Sequence, residues 1–316
     1  MIKIGKFEVR RDIVLKSALA ISILGVIAVD SWLVTCGYDG CPTPRQIQSY
    51  HPDEGGRIYD RNGALMGRLA IVRRLNVPIS SVPVHVRQAF VATEDRRFFA
   101  HNGIDWRGFV RAAVRNVRSL GVREGFSTIT MQAARNSFVV HKYKNRSLPQ
   151  KLIELRVARL MERSLTKDQI LELYLNAIYM GNGVYGVEAA SRDLFGKSVN
   201  RLTLPEAAML AALPKAPSAY TPRRNPKRAI TRRNLVLSLM VKEGYISADR
   251  LSGLQATSLR IARDEWRPDD RTDSFALDAV RAITDSVLSQ TDEDAADLTV
   301  YTTLDNKAQI LSLIHI

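Results

Sequence analysis

At 316 residues with 46% apolar content, the chain can bury a large core as one sizeable domain or two modest ones, which excludes an intrinsically disordered protein. Lys and Arg number 46 against 32 Asp and Glu, and the resulting +14 points to an anionic partner such as nucleic acid, phospholipid headgroups or a phosphorylated substrate. Charge alone does not choose among them.

Lys3, Lys6, Arg10 and Arg11 precede residues 13–34, a run whose only charges are Lys16 and Asp30. That length spans a bilayer core of about 30 Å when Lys16 snorkels to the near interface and Asp30 lies close to the far one. The basic flank predicts residues 1–12 as a cytoplasmic tail, 13–34 as a single transmembrane anchor and the remainder outside the cytoplasm. A cleaved signal peptide fits less well: its best site, Val26-Ile27-Ala28, carries Val where a small residue is preferred, and apolar character resumes at Trp32. The two cysteines, Cys36 and Cys41, bound the segment CGYDGC. They read either as a small disulfide loop or as two free thiols in a flexible stalk, and with no further ligands they do not make a structural zinc site.

Residues 35–56 read as a polar stalk. The stretch RIYDRNGALMGRL (57–69) predicts a hairpin turning at Asn62-Gly63, and beyond it the pattern is almost wholly helical. Capping boxes at Ser147 to Gln150, Thr166 to Gln169 and Thr203 to Glu206 open three helices whose apolar runs, 152–161, 170–175 and 207–213, supply a core. Six basic residues cluster in 223–233 and read as a solvated or headgroup-facing face. LTVYTTLD (298–305) alternates like a strand, and the closing LSLIHI departs from the helix expected after it, as a truncated reading frame would.

Two motifs mislead. Gly181 to Gly186 fits G-x-G-x-x-G, but the preceding ILELYLNAIYM reads as helix, whereas a dinucleotide fingerprint follows a strand. Ser164-Leu165-Thr166-Lys167 fits S-x-x-K, yet Thr166 is already a helix cap and neither S-D-N nor K-T-G follows.

The chemistry concentrates elsewhere, in TEDRRFFAHNGID (93–105), where two adjacent carboxylates, two aromatics and a histidine follow an apolar-periodic helix. Taken with Gly125-Phe126-Ser127-Thr128-Ile129-Thr130-Met131-Gln132, Lys151-x-x-Glu154, Ile170-Leu171-Glu172-x-Tyr174-Leu175-Asn176 and Gly183-Val184-Tyr185-Gly186-Val187-Glu188, this block resembles the signature series of the peptidoglycan glycosyltransferases, family 51, the N-terminal domain of class A penicillin-binding proteins. Any one block is weak; five in order are specific. The resemblance implies a mainly α, lysozyme-like, two-lobed glycosyltransferase domain at 57–245 behind an N-terminal transmembrane helix, with 246–316 as a linker toward an absent transpeptidase domain. The implied reaction polymerises lipid II at the outer face of the bacterial cytoplasmic membrane. The acceptor 4-hydroxyl attacks the anomeric carbon, undecaprenyl pyrophosphate leaves, and the β-1,4 bond forms with inversion.

Residue by residue, Glu94 matches the family's general base, with Phe98 and Phe99 raising its pKa by desolvation, and Glu154 matches the second carboxylate. Asp95, Phe98 and His101 fall in the implied substrate-binding set, with Asp95 and His101 expected to orient the loop rather than do chemistry. Ser127, Thr128, Gln132, Arg135 and Asn136 match donor-binding positions, the last four spaced to share one helix face, and Lys151 suits a pyrophosphate oxygen. The resemblance implies no protein metal site and no obligatory cofactor, with a divalent cation (Mg²⁺ or Mn²⁺) at most stimulatory. The implied partners are lipid II and nascent glycan, membrane lipids and other cell-wall synthesis proteins, and not nucleic acid. The sequence departs from the family's usual residues at Phe126 (usually Gly), Met131 (commonly Gln), Arg135 (Lys) and Gln150 (Arg). Two other readings remain: a lytic transglycosylase or lysozyme-like muramidase, which has no use for the Lys151-x-x-Glu154 block, and a membrane-tethered nucleic-acid binder, disfavoured by an extracytoplasmic location. Because the S-x-x-K match has no companion motifs, no covalent penicillin labelling of this chain is expected. A labelled band abolished by Ser164→Ala would overturn that reading.

Overall fold

The computed structural model describes residues 2–4, 7–9, 16, 20, 22–25, 27, 31–32, 34–36, 40–69, 73–118, 126–139, 148–263, 266, 275–288 and 298–314. Among them no helix is long and apolar enough to cross a membrane, and most of the expected 13–34 span lies outside them. Residues Ile2–Ile4 (β1) and Phe7–Val9 (β2) pair antiparallel within the stretch expected as a tail. Cys36 and Cys41 form a disulfide, which settles the choice the sequence left open, and Cys36 is itself buried against the core. The disulfide leads into helix α1 (Pro44–Ser49), opened by a capping box between Thr43 and Gln46.

The core is helical and continuous. Helix α2 (Val84–Glu94) starts behind Pro83, buries Val86, Ala89, Phe90 and Val91, and stops where Asp95 turns to an extended φ of −158°. It packs on α8 (Leu204–Ala212) and, past the short helix α9 (Pro217–Tyr220), on α10 (Pro226–Lys242). A second group forms around α4 (Ile129–Ala134), all six residues of which are buried, against α5 (Leu148–Ser164) and α6 (Lys167–Ala177). Between α2 and α4 lies α3 (Trp106–Arg118), which leaves Trp106, Val110 and Val114 exposed. The capping boxes predicted at Thr166/Gln169 and Thr203/Glu206 are made, whereas Ser147 lies outside the described residues. Each fully buried Ile, Leu or Phe side chain contributes about 1.5–3 kcal/mol, so these apolar runs carry most of the fold.

Short strands, invisible to periodicity at two or three residues each, lock the loops. Arg73–Arg74 (β5) pairs in parallel with Val184–Tyr185 (β7), which pairs antiparallel with Tyr179–Gly181 (β6). The G-x-G-x-x-G stretch is thus a hairpin, and Gly186 is the N-cap of α7 (Val187–Phe195) at φ +77°. A Cβ there would sit 2.8 Å from the Asn176 carbonyl oxygen, so only glycine fits. The predicted hairpin at 57–69 forms from Arg57–Tyr59 (β3) and Leu65–Arg68 (β4), with Gly63 at φ +78° in the turn. Strand Thr299–Tyr301 (β8) adds to it in parallel, and Leu277 of the helix Phe275–Leu288 packs on Ile58 and Met66 in a small second core. The closing residues also differ from expectation: Asn306–Ile314 is helical.

The basic run at 223–233 is not wholly solvated. Arg223 pairs with the buried Asp193, as does Arg73, and Arg233 is 2% exposed with its guanidinium on the Thr257 and Gln255 carbonyls at 2.7 and 2.6 Å. On α6, Asn176 clamps the chain before α2: its Oδ1 accepts from Val77 N–H at 3.0 Å and its Nδ2 donates to Val77 O at 2.9 Å. Asn176→Ala would leave two enclosed backbone groups unpaired. A stability loss of about 1–3 kcal/mol, read as a lower Tm, is expected, and an unchanged Tm would show that the clamp is not made in solution.

Candidate functional site

The two helix groups meet where α2 ends and α4 begins, and Glu94 and Asp95 stand at that meeting. Asp95 is 7% exposed and accepts from Ile129 N–H at 3.0 Å, the first amide of α4. Its two oxygens also lie 2.9 and 3.1 Å from His101 Nε2. Helix N-termini carry unpaired N–H groups and partial positive charge, so a carboxylate is favoured there. Thr128 caps the same helix end by accepting from Met131 N–H at 3.1 Å while donating to Gly103 O at 2.6 Å. Asp95, His101 and Thr128 therefore hold the loop together, with Thr128 turned inward at 2% exposed.

Glu94 keeps some exposed surface, yet enough protein surrounds its carboxylate that burial raises its pKa. Opposing that shift are a hydrogen bond from Gln132 Nε2 to Glu94 Oε2 at 2.9 Å and the charges of Arg232, Lys215 and Arg135. Phe98 is fully buried, with Lys167 Nζ 4.4 Å from its ring centroid, whereas Phe99 is 61% exposed and does not enclose the carboxylate as the sequence suggested. Behind Glu94, Tyr174 is wholly buried, its Oη finds no hydrogen-bond partner among the described residues, and burial, with Glu94 and Asp95 nearby, drives its pKa well above normal.

The second half of the site sits on α5. Lys151 Nζ donates to Glu154 Oε2 and to Ser127 Oγ, both at 2.8 Å, and Glu154 is 3% exposed. The i, i+3 pairing expected from Lys151-x-x-Glu154 is therefore present, and Ser127 joins it. Arg135 and Asn136 are partly exposed and lie past the end of α4, where the chain widens to a π-helical turn, Arg135–Val139. The single α-helical face expected for Thr128, Gln132, Arg135 and Asn136 is broken there, because Thr128 is a cap outside the helix and the wider turn rotates the later pair. Gln150 is buried at 4% exposed, and Gly125 lies outside the described residues.

Three residues near Glu94 escaped the sequence reading: Tyr174, Lys215 and Arg232. Tyr174 was visible only as part of an apolar helix block, and Arg232 was hidden within a basic run read as surface. The dismissed S-x-x-K lysine, Lys167, is held by Glu162 at 2.7 Å. Among the described residues no three His, Cys, Asp or Glu side chains group as a metal cage would require. Chemically, the site offers an enclosed carboxylate able to take a proton, and an ammonium fixed by a carboxylate and a hydroxyl, suited to an anion.

Because the Glu94 pKa is raised in the folded state, the stability linked to its protonation is fully present below the unfolded value and is lost as pH rises through the folded one. Glu94→Gln keeps an acceptor for Gln132 without the enclosed charge. The variant should melt above the parent at neutral pH, with the gap closing as pH falls below the ordinary carboxylate range. Tm measured from about pH 4 to 8 checks this, and a gap that widens toward acid would refute it.

Residues 62–241 match the family model described as transglycosylase. Penicillin-binding protein 1A of Aquifex aeolicus is 42% identical over 270 residues, covering 85% of this chain and 36% of its own length. That of Rickettsia bellii is 38% identical over 272 residues, covering 85% and 34%. Penicillin-binding protein 1A/1B of Bacillus subtilis is 34% identical over 315 residues, covering 97% and 34%. The chain thus spans about a third of the length of these curated relatives. The crystal structure of penicillin-binding protein 1A from Haemophilus influenzae aligns with 82% of this chain and 28% of its own, at TM-score 0.44 and 27% identity.

Proposed function

The chain belongs to the transglycosylase family, and we propose that it is a membrane-anchored peptidoglycan glycosyltransferase that polymerises lipid II into β-1,4 glycan with inversion. The observation that carries this reading is the pairing of an enclosed carboxylate, Glu94, with an ammonium, Lys151, that Glu154 and Ser127 fix in place. A sugar hydroxyl is a poor nucleophile until it loses its proton, so a base within hydrogen-bond reach is needed, and Glu94 takes that proton as the 4-hydroxyl attacks the anomeric carbon. The glycosyl–oxygen bond to the pyrophosphate breaks on the opposite side. The leaving group departs already charged and needs cations more than an acid, which Lys151 and Arg135 supply. Glu154 acts by holding Lys151, and Gln132 by orienting Glu94. No step needs a metal; Mg²⁺ or Mn²⁺ would add charge at the pyrophosphate without replacing these groups.

The anchor at 13–34 belongs to the same proposal. Its described apolar side chains Ile23, Leu24, Ile27 and Val34 are 51–65% exposed, surface that a bilayer would cover. The catalytic domain then stands outside the cytoplasm with lipid II, nascent glycan and membrane lipids as its partners, along with other cell-wall synthesis proteins. The relatives' names do not favour a lytic transglycosylase or muramidase, and the same assay separates the two reactions.

Detergent-solubilised full chain incubated with lipid II should yield glycan polymer. Glu94→Gln should lower the rate by about 10²–10⁴ while lipid II binding persists. Near-parental polymerisation by this variant would remove Glu94 from the role of base. Cleavage of preformed glycan without polymer would replace the reaction class.

A further inference from the structure

Position 126 is where this chain departs most visibly from the pattern it resembles, with phenylalanine between Gly125 and Ser127 where that pattern usually has Gly-Gly-Ser. The Phe126 ring has a specific neighbour: Lys151 Nζ lies 5.3 Å from its centroid. The same nitrogen donates to Ser127 Oγ and Glu154 Oε2. On another side the ring meets Phe109 edge-on, with centroids 5.0 Å apart and planes at 90°, and Phe109 meets Trp106 at 6.0 Å. Phe126 also packs against the main core. A row of aromatics on α3 thus backs a ring that touches the lysine.

We propose that Phe126 is a positioning residue for the leaving-group cation, its ring holding the Lys151 ammonium by a cation–π contact at the place where the pyrophosphate binds. The inference rests on the reading of Lys151 as that cation. Lysine is a point charge on a flexible four-carbon stem, so each group that meets its ammonium, Glu154, Ser127 and the ring among them, narrows where the charge sits. A carboxylate in the place of the ring would hold it too but would offset the charge that the pyrophosphate needs. An aromatic face attracts the ammonium without net negative charge and without occupying an N–H donor. The adjacent position adds weight: Gln150 is neutral and buried where the family usually has arginine, so with one cation fewer the placement of Lys151 matters more.

The test compares the full chain with Phe126→Leu, which keeps apolar bulk but removes the ring quadrupole, and Phe126→Trp, which strengthens it. Phe126→Met serves as a second aliphatic variant should leucine lower the Tm. Leucine is expected to lower kcat/KM for lipid II by about 2- to 30-fold, mostly through KM, with Tm unchanged and tryptophan at or above the parent. Titration with inorganic pyrophosphate should weaken by a similar factor in Phe126→Leu, and that loss should vanish when Lys151→Met is already present. Equal pyrophosphate affinity and KM for parent and leucine variant would overturn the proposal, as would an equal loss in the Lys151→Met background. Failure of the parent to make polymer would sink the functional reading alone, because the pyrophosphate titration reads Phe126 independently of polymerisation.

Discussion

A single buried carboxylate organises the site. Asp95 ends α2 and accepts the first amide of α4, so beside the Gln132–Glu94 hydrogen bond it ties the ends of these two helices together, and it also meets His101. Left without these partners it would be an enclosed unpaired charge, a costly arrangement; with them it sets the distance between the elements. Glu94 precedes it by one residue, and Ser127 and Thr128 immediately precede the helix it holds. Glu94 and the serine that meets Lys151 thus flank the same joint, although they come from segments more than thirty residues apart.

Around that joint the electrostatics of Glu94 are balanced rather than neutralised. Burial lifts its pKa, while Gln132 and three cations from separate elements draw it down. A general base works best when it is ionised at the working pH yet retains affinity for a proton, and an upward shift moderated by opposing charges is the direction that the role proposed for Glu94 asks for. A single close arginine partner would lower the pKa too far. Lys215, Arg135 and Arg232 act on Glu94 as charges, while the hydrogen bond to its carboxylate comes from the neutral Gln132.

Much of this was legible in the residues. The capping boxes at Thr166 and Thr203, the hairpin at Asn62-Gly63 and the Lys151–Glu154 pair depend on local rules of three or four residues, and the structure contains all four. What escaped depends on tertiary neighbours. Strands of two or three residues have no period to detect, so the pairing of Arg73 with Val184 could not be seen, nor could the parallel addition of 299–301 to the first hairpin. Arg233 looks like its neighbours in a basic run until carbonyls from 255 and 257 close over it. The π turn after Ala134 likewise leaves no mark in the spacing of Thr128, Gln132, Arg135 and Asn136, which fits an unbroken α-helix equally well.

The recurring blocks also divide between architecture and chemistry. In Ile170 to Asn176, Glu172 accepts Ile79 N–H at 2.6 Å and Asn176 clamps Val77, so two of its polar residues serve to hold the segment that leads into α2. Tyr174 between them is different. Its ring packs edge-on to Phe90 at 6.1 Å, a task phenylalanine would perform equally well, while its buried hydroxyl has no partner among the described residues. An unsatisfied buried donor costs about 1–3 kcal/mol, so packing stability does not account for a tyrosine there. The groups whose charges reach that hydroxyl are Glu94, Arg135 and Asp95. A polar side chain kept at a cost to stability beside the enclosed carboxylate of the candidate site is where local rules of good packing yield to the electrostatics of that site.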